Sequence, residues 1–242
     1  MKAIILAAGY ATRMHPLTEN QPKALLPLGG RPIIDYIIDQ INTLPNVNEI
    51  IVMSNHKFYA DFEKWAEKHT SKTPIFLIDD GSMDDTDRLG AIGDIYFAIQ
   101  VKNISEDIVV IAGDNYFTYP LLEQYEFFKQ KNADTLCATQ IADREQLKAF
   151  AVATLADDGK VLSLTEKPAE PQSDIAVFAT YFYQTATLPL FDEYFGEGLN
   201  TDQPGKFPEW LHKKKDIYAY MMNGECHDIG TIEAYEAMSA RL

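Results

Sequence analysis

Short apolar stretches rich in Ile and Val alternate with longer stretches of helical periodicity through the first half of the chain. Strands that are apolar on both faces and separated by helices indicate a parallel sheet covered on both sides. The first half is therefore predicted to be a doubly wound α/β unit. The pattern predicts strands at 2–7, 48–53, 75–78 and 107–111, and helices at 33–43, 57–68, 89–101 and 120–130.

The pattern changes after about residue 133, where strand-like stretches follow one another with short polar connections. No internal repeat, linker or low-complexity tract interrupts the chain, so we expect one domain over 1–242 whose second half continues the same sheet. Strands are predicted at 134–140, 149–155, 160–166 and 175–183, and helices at 206–214 and 231–241.

The composition indicates a soluble protein with a substantial core, since 46% of residues are hydrophobic and 12% are aromatic. No apolar stretch approaches the roughly 18 residues of a membrane-spanning helix. The 36 acidic and 21 basic residues give a formal charge of -15, which disfavours nucleic acids and anionic membranes as partners. Cys137 and Cys226 lack disulfide or metal-site spacing, so we expect a reducing cytoplasm.

Positive charge is nevertheless concentrated near the start of this acidic chain. Residues 1–35 contain four basic side chains against two acidic ones, which favours an anionic ligand in this region. The basic residues are Lys2, Arg13, Lys23 and Arg31, and the acidic ones are Glu19 and Asp35.

Ligands of an open parallel sheet bind at the carboxyl ends of its strands. The loop after the first strand is rich in small residues that let the backbone approach a polyphosphate. A later strand, 108–112, is followed by Gly113, Asp114 and Asn115, which place a carboxylate at the same edge. Such residues also form ordinary turns. A second acid, Asp228, precedes the final predicted helix, and two separated aspartates suffice for Mg²⁺ with phosphate oxygens and water.

The segment 7–27, A-A-G-Y-A-T-R-M-H-P-L-T-E-N-Q-P-K-A-L-L-P, resembles the signature loop of the sugar-phosphate nucleotidyltransferases, L-A-A-G-x-G-T-R-L-x-P-L-T-x-x-x-P-K-x-L. Similar matches follow in family order at Asp114, at the E-K-P triplet 166–168 and at the D-x-G-T element 228–231. The resemblance implies a Rossmann-like, GT-A-like fold with a mixed, mostly parallel sheet. It implies a nucleotide-binding part over about 1–132 and a sugar-phosphate-binding part over about 133–242.

The resemblance also implies roles for individual residues. Arg13 would hold the triphosphate, Lys23 the α-phosphate and attacking phosphate, Glu166 the sugar, and Lys167 its phosphate, while Asp114 and Asp228 would bind Mg²⁺. The implied catalytic residues are Arg13, Lys23, Asp114, Lys167 and Asp228. The further nucleotide contacts would be Leu6, Ala7, Ala8, Gly9, Tyr10, Ala11, Thr12 and Gly90, and the further substrate contacts Asn115 and Ala179.

Several positions depart from the family pattern. Ala11 replaces the usual glycine and would cost about 1 kcal/mol if the loop needs a positive φ there. Ala91 and Asp94 replace the threonine and alanine of the family's L-G-T-A-G-A-I turn, so the base cannot be assigned from this turn. Ala179 likewise replaces a glycine beside the sugar.

Two flanking segments have less specific interpretations. The acidic run 79–87 is predicted to be a solvated loop beside the site, with Arg88 as a substrate contact or a local charge neutraliser. The segment 204–211 resembles one that folds over the sugar side in related enzymes, although an amphipathic helix with Trp210 in the core fits equally.

The implied reaction joins a nucleoside triphosphate, dTTP or UTP favoured, to a sugar 1-phosphate, glucose 1-phosphate favoured, with release of pyrophosphate. An alternative is a CTP-dependent enzyme for phosphocholine, for which four aromatic residues could face the ammonium group. A non-catalytic nucleotide-sugar sensor is a further alternative. Only 11 residues follow Thr231, so we expect no C-terminal β-helix and a monomer or small homo-oligomer. The four aromatic residues are Tyr116, Phe117, Tyr181 and Tyr183.

Overall fold

Thirteen strands and eight helices make up the computed structural model, which describes residues 1–242. The strands are β1 (Lys2–Leu6), β2 (Pro27–Leu28), β3 (Arg31–Pro32), β4 (Glu49–Ser54), β5 (Ile75–Asp79), β6 (Ile108–Ala112), β7 (Asn115–Phe117), β8 (Asp134–Gln140), β9 (Ala151–Leu155), β10 (Val161–Glu166), β11 (Ile175–Tyr183), β12 (Ile217–Met221) and β13 (Cys226–Asp228). The helices are α1 (Ile33–Ile41), α2 (Tyr59–Lys68), α3 (Ala91–Lys102), α4 (Leu121–Lys131), α5 (Arg144–Leu147), α6 (Leu188–Gly196), α7 (Lys206–Leu211) and α8 (Ile232–Ser239).

Nine strands form one mixed sheet in which β5, β4, β1, β6, β11, β9 and β10 are neighbours in that order, with β8 and β12 joined beside β11. The strands β5, β4, β1 and β6 are mutually parallel. Strand β11 then runs antiparallel to β6, β8 and β9, and β10 antiparallel to β9. The expected mixed, mostly parallel sheet is confirmed, and the second half of the chain continues it through the β11–β6 pair.

The alternation of side chains along β1 explains the two covered faces. Ala3 and Ile5 point into a core formed with α1, α2 and α4, whereas Ile4 points into a second core formed with α3, α6 and α7. All three side chains are fully buried. Burial on both faces accounts for the continuous apolar strands, and the doubly wound prediction is confirmed.

Seven elements were not predicted from the sequence. Helices α5 and α6 and strand β12 fall in segments without an assigned element, the short strands β2 and β3 lie between the loop after β1 and helix α1, and the small β7–β13 sheet pairs residues more than a hundred positions apart. Helix α7 ends at Leu211 and α8 at Ser239, earlier than predicted.

Candidate active site

A cavity of about 530 Å³ opens at the carboxyl edge of β1 and β6. One flank is formed by the segment after β5 and the start of α3, and the other by β9, β10 and β11. The projecting part of β11 forms this second wall because β11 pairs with β6 only from Thr180 to Tyr183. The cavity therefore lies at the carboxyl ends of parallel strands, where α/β folds ordinarily bind ligands.

The loop after β1 contributes five of the predicted nucleotide contacts to the cavity wall. The wall contains Leu6, Ala8, Gly9, Thr12 and Arg13. Three other predicted contacts in this loop lie off the wall, namely Ala7, Tyr10 and Ala11.

The loop is held in shape by hydrogen bonds of its own residues. The Tyr10 hydroxyl donates to the Ser82 carbonyl at 2.8 Å, so this side chain anchors the loop to the segment after β5. Ala11 has φ 49° and ψ 41°, which is the left-handed region, and its carbonyl accepts from Thr18 Oγ1 at 2.8 Å. Ala11 therefore has the positive φ for which the sequence analysis gave a conditional cost of alanine.

Asp114 sits where β6 passes close to the end of β1. The Gly113 N–H donates to the Leu6 carbonyl at 2.8 Å, and a Cβ on Gly113 would lie 2.8 Å from that same oxygen. Only glycine allows this approach, which presents Asp114 directly at the cavity. Lys23 Nζ donates to Asp114 Oδ2, so the predicted basic and acidic residues are in direct contact.

Asp228 reaches the same place through the small β7–β13 sheet. Asp228 lies opposite Asn115 in the antiparallel register, and the Ile229 N–H donates to the Asp114 carbonyl at 3.1 Å. Asp228 is accessible from the cavity, yet surrounding protein raises its pKa from 3.8 to about 6, first by desolvation and then by the charge of Asp114. Three predicted cations, Lys23, Arg13 and Lys167, oppose that rise.

The residues predicted for catalysis therefore meet at one point of the cavity. Asp114 and Asp228 offer hard oxygen donors, and their mutual repulsion is the electrostatic condition that a divalent cation relieves. No group of three or more His, Cys, Asp or Glu side chains is placed to hold a metal. A pair of carboxylates that leaves the other positions to phosphate and water fits Mg²⁺.

Three of the predicted sugar-phosphate contacts, Glu166, Lys167 and Ala179, line the opposite flank. Asn115 also lines the cavity, but next to Asp114. Lys167 has φ 46° and its N–H donates to the Phe150 carbonyl at 3.1 Å, so its side chain leaves the end of β10 in a fixed direction. A register shift between Phe178 and Tyr181 in the β11–β8 pair accompanies the exposure of Ala179 to the cavity.

The segment before α7 closes this flank. Asp202, Gln203, Pro204 and Gly205 line the cavity, and a Cβ on Gly205 would collide with Glu166 Oε2. Trp210, half-buried, stacks on Phe207 at 5.8 Å between ring centroids. The start of the segment 204–211 therefore lines the cavity, and its remainder forms the short helix α7, in which Phe207 is in the core and Trp210 lies at its edge.

Carboxylates on the other flank were not predicted as site residues. Arg88 lies where the two flanks meet and pairs with a carboxylate from each, with Nη1 2.8 Å from Asp85 and Nη2 3.0 Å from Asp202 in the segment before α7. Two further carboxylates, Asp80 and Asp94, line the cavity without a basic partner. Gly90 lines the same region. The departure of Asp94 from the family's alanine was the signal in the sequence that could have identified it.

The aromatic residues considered for an ammonium ligand do not assemble into a cage. Tyr181 lines the cavity, but Tyr183 is fully buried against Phe191 and Phe207, and Phe117 stacks on Tyr119 in the core.

No helix in the structure combines the length and the hydrophobicity needed to cross a bilayer.

Comparison with known proteins finds relatives in both sequence and fold. The profile of the nucleotidyl transferase family matches residues 2–242. A glucose-1-phosphate adenylyltransferase of Clostridium novyi is 28% identical over 97% of the chain, which spans 64% of that protein. A UTP--glucose-1-phosphate uridylyltransferase of Synechocystis is 25% identical over 97% of the chain, which spans 61% of that protein. A UDP-glucose pyrophosphorylase solved with UDP-glucose shares the fold, with a TM-score of 0.82 at 20% identity over 99% of this chain and 97% of that one.

Proposed function

The chain belongs to the nucleotidyl transferase family, and on that premise we propose that it transfers the nucleotidyl group of a nucleoside triphosphate to a sugar 1-phosphate, releasing pyrophosphate. The observation that carries the proposal is the meeting of Asp114, Asp228, Lys23 and Arg13 at one point of the cavity, with Lys167 close enough to affect the same carboxylate.

The reaction is an in-line displacement at phosphorus. A phosphate oxygen of the sugar 1-phosphate forms a bond to the α-phosphorus of the triphosphate. The bond from the α-phosphorus to the oxygen that bridges to the β-phosphorus breaks, and that oxygen leaves with the electron pair as part of pyrophosphate. Two anions must approach each other, so the principal task of the protein is to offset their repulsion and hold them in line.

The residues present divide this task between them. Arg13, exposed on the loop after β1, holds the leaving β- and γ-phosphates. Lys23, now paired with Asp114, and Lys167 contact the α-phosphate and the attacking phosphate from either side. Asp114 and Asp228 would hold Mg²⁺, which when bound would supply positive charge near the phosphates.

The two substrates occupy opposite flanks in this proposal. The nucleoside lies beside the loop after β1 and the start of α3, within residues 1–132, and the sugar lies beside Glu166, Ala179 and Gly205, within residues 133–242. Glu166 is buried and its carboxylate forms no salt bridge, so it is available to hydrogen-bond with sugar hydroxyls. Glucose 1-phosphate is the acceptor that the family motifs favour.

The test is release of pyrophosphate by the whole chain with Mg²⁺, crossing ATP, CTP, GTP, UTP and dTTP with glucose 1-phosphate, other sugar 1-phosphates and phosphocholine. We expect turnover with a sugar 1-phosphate and its loss in Asp114→Asn. Asp85→Asn is the matched control, because Asp85 lines the same cavity but pairs with Arg88. If no pair of substrates released pyrophosphate, or if Asp114→Asn kept full activity, the proposal would be wrong. Turnover with phosphocholine alone would favour the alternative acceptor.

A further inference from the structure

The first turn of α3 is bonded to the opposite flank of the cavity. The first N–H groups of a helix have no partner within the helix, and such groups commonly bind phosphate. Here the Ala91 N–H donates to the Asp202 carbonyl at 3.1 Å, and the Ile92 N–H donates to the Thr201 carbonyl at 2.8 Å. The start of the helix is therefore a junction with the segment before α7, which lies more than a hundred residues further along the chain.

A side chain and a close backbone approach reinforce this junction, which we call the clasp and define as the contacts of residues 88–92 with residues 201–202. Thr201 Oγ1 donates to the Leu89 carbonyl at 3.0 Å. Gly90 has φ 80°, and a Cβ on it would lie 2.6 Å from the Thr201 carbonyl oxygen. Glycine is the residue that permits both this φ and this approach, so a larger residue at position 90 would push the two flanks apart.

The clasp lies close in sequence to the residue that touches Glu166. Only residues 203–204 separate Asp202 from Gly205, so at most about 11 Å of extended chain joins them. Asn200 Oδ1 accepts from the N–H groups of Asp202 at 2.9 Å and of the next residue at 3.3 Å, which fixes the turn at this point. Gly205 lies so near Glu166 that a Cβ would collide with its Oε2 atom.

The helix that follows holds Glu166 through its backbone. Glu209, in α7, accepts from the Glu166 N–H at 2.9 Å and from Lys206 Nζ at 3.0 Å. The Glu166 carboxylate thus packs against Gly205 while its backbone is bonded to α7. The segment 200–205 and α7 together support Glu166, and this support is attached at its other end to the start of α3.

We propose that Thr201 and Asp202 are positioning residues for the sugar 1-phosphate. By holding the segment 200–205 to the start of α3, they keep Gly205 and Glu166 where the sugar binds. The inference rests on the proposed function for the role of Glu166. The ion pair between Arg88 and Asp202 is exposed and contributes little, so the Thr201 hydroxyl and the two backbone carbonyls carry the attachment.

Loosening the clasp should move the sugar side of the cavity and leave the nucleotide side in place. Helix α3 is packed into the core through Ile92, Ile95 and Ala98, whereas residues 200–203 are partly or fully exposed. The segment therefore shifts when its attachment weakens, because it has less packing to hold it. We expect an effect on the sugar phosphate alone.

The experiment replaces Thr201 with valine, which has the same shape but no donor for the Leu89 carbonyl. In steady-state pyrophosphate release with the substrate pair that the unchanged protein turns over, Thr201→Val should raise the KM for the sugar phosphate about threefold to tenfold. The kcat and the KM for the triphosphate should change by less than about twofold. Thr201→Ser, which keeps the hydroxyl, should restore the KM. Thr43→Val is the matched control, because it removes a similar bond to the Gln40 carbonyl away from the cavity wall.

Amide hydrogen exchange tests the clasp without any substrate. The Ala91 and Ile92 N–H groups should exchange slowly in the unchanged protein and about threefold to tenfold faster in Thr201→Val. Amides in the middle of α3 should keep their rates in the variant. If the Ala91 and Ile92 amides were unprotected in the unchanged protein, the clasp would not form in solution and the inference would be wrong.

The kinetic results can also overturn the inference. An unchanged KM for the sugar phosphate in Thr201→Val, or an equal rise in the KM of both substrates, would show that Thr201 does not position the sugar side. A rise above about tenfold in Asp202→Asn, with none in Thr201→Val, would mean that Asp202 contacts the sugar directly. Each of these outcomes leaves the proposed function intact. No pyrophosphate release by the unchanged protein with any pair would instead overturn the proposed function, and this inference with it.

Discussion

Replacing Ala11 with glycine should stabilise the protein. Ala11 adopts φ 49°, a conformation that costs an L-residue about 1–2 kcal/mol, and glycine adopts it without that strain. Glycine also has more freedom in the unfolded chain, which returns about 0.5–1 kcal/mol. The hydrogen bonds at this residue involve its backbone carbonyl, which accepts from Thr18 Oγ1 and from the Met14 N–H, and neither needs the methyl group. The net gain in the free energy of unfolding is about 0.5–1 kcal/mol.

For a chain of this size the gain corresponds to a rise in Tm of about 1–4 °C, measurable by circular dichroism or calorimetry. The matched control is Ala237→Gly, at an exposed position inside α8, where the same change should lower the free energy of unfolding by about 0.5–1 kcal/mol. The two variants should therefore differ in the sign of their effect. Equal destabilisation by both would refute the reasoning from backbone strain.

Three further changes test other parts of the site. Asp228→Asn should abolish turnover yet raise the free energy of unfolding at pH 7 in EDTA by about 1 kcal/mol, after discounting for solvent exposure. Because the folded-state pKa is raised from 3.8 to about 6, wild-type stability falls as pH rises between these values, so the gain should vanish near pH 4 in urea titrations. Gly205→Ala should displace Glu166 and raise the KM for the sugar phosphate about tenfold, leaving the KM for the nucleotide unchanged in steady-state kinetics. Burial raises the pKa of Cys137 to about 12, so a thiol reagent at pH 8 should not modify this thiol until denaturant is added.

The sequence predicted the parallel half of the fold well because its strands are short, apolar on both faces and separated by helices. Helix α6 was missed because its apolar residues follow directly on the long aromatic strand β11 and share its hydrophobic character. Strand β12 was missed because its partner, β8, is remote in sequence and only the folded sheet brings the two together.

The site shows the same division between local and long-range information. Family motifs identified Asp114 and Asp228, but no local pattern reveals that β7 and β13 pair and bring them together. Asp94 reads from the sequence as an ordinary acid in the first turn of a helix, where negative charge is favourable. Its burial beside Asp80 depends on how α3 packs over the end of the sheet, which local sequence does not specify.

The small β7–β13 sheet has a consequence for how activity is lost on heating. It holds one carboxylate of the site through three residue pairs and is separate from the nine-stranded sheet. Such a short ladder can open locally at a lower free-energy cost than unfolding of the central sheet. Thermal inactivation should therefore begin below the main melting transition and reverse on cooling, with the loosened segment first becoming accessible to protease and to amide hydrogen exchange.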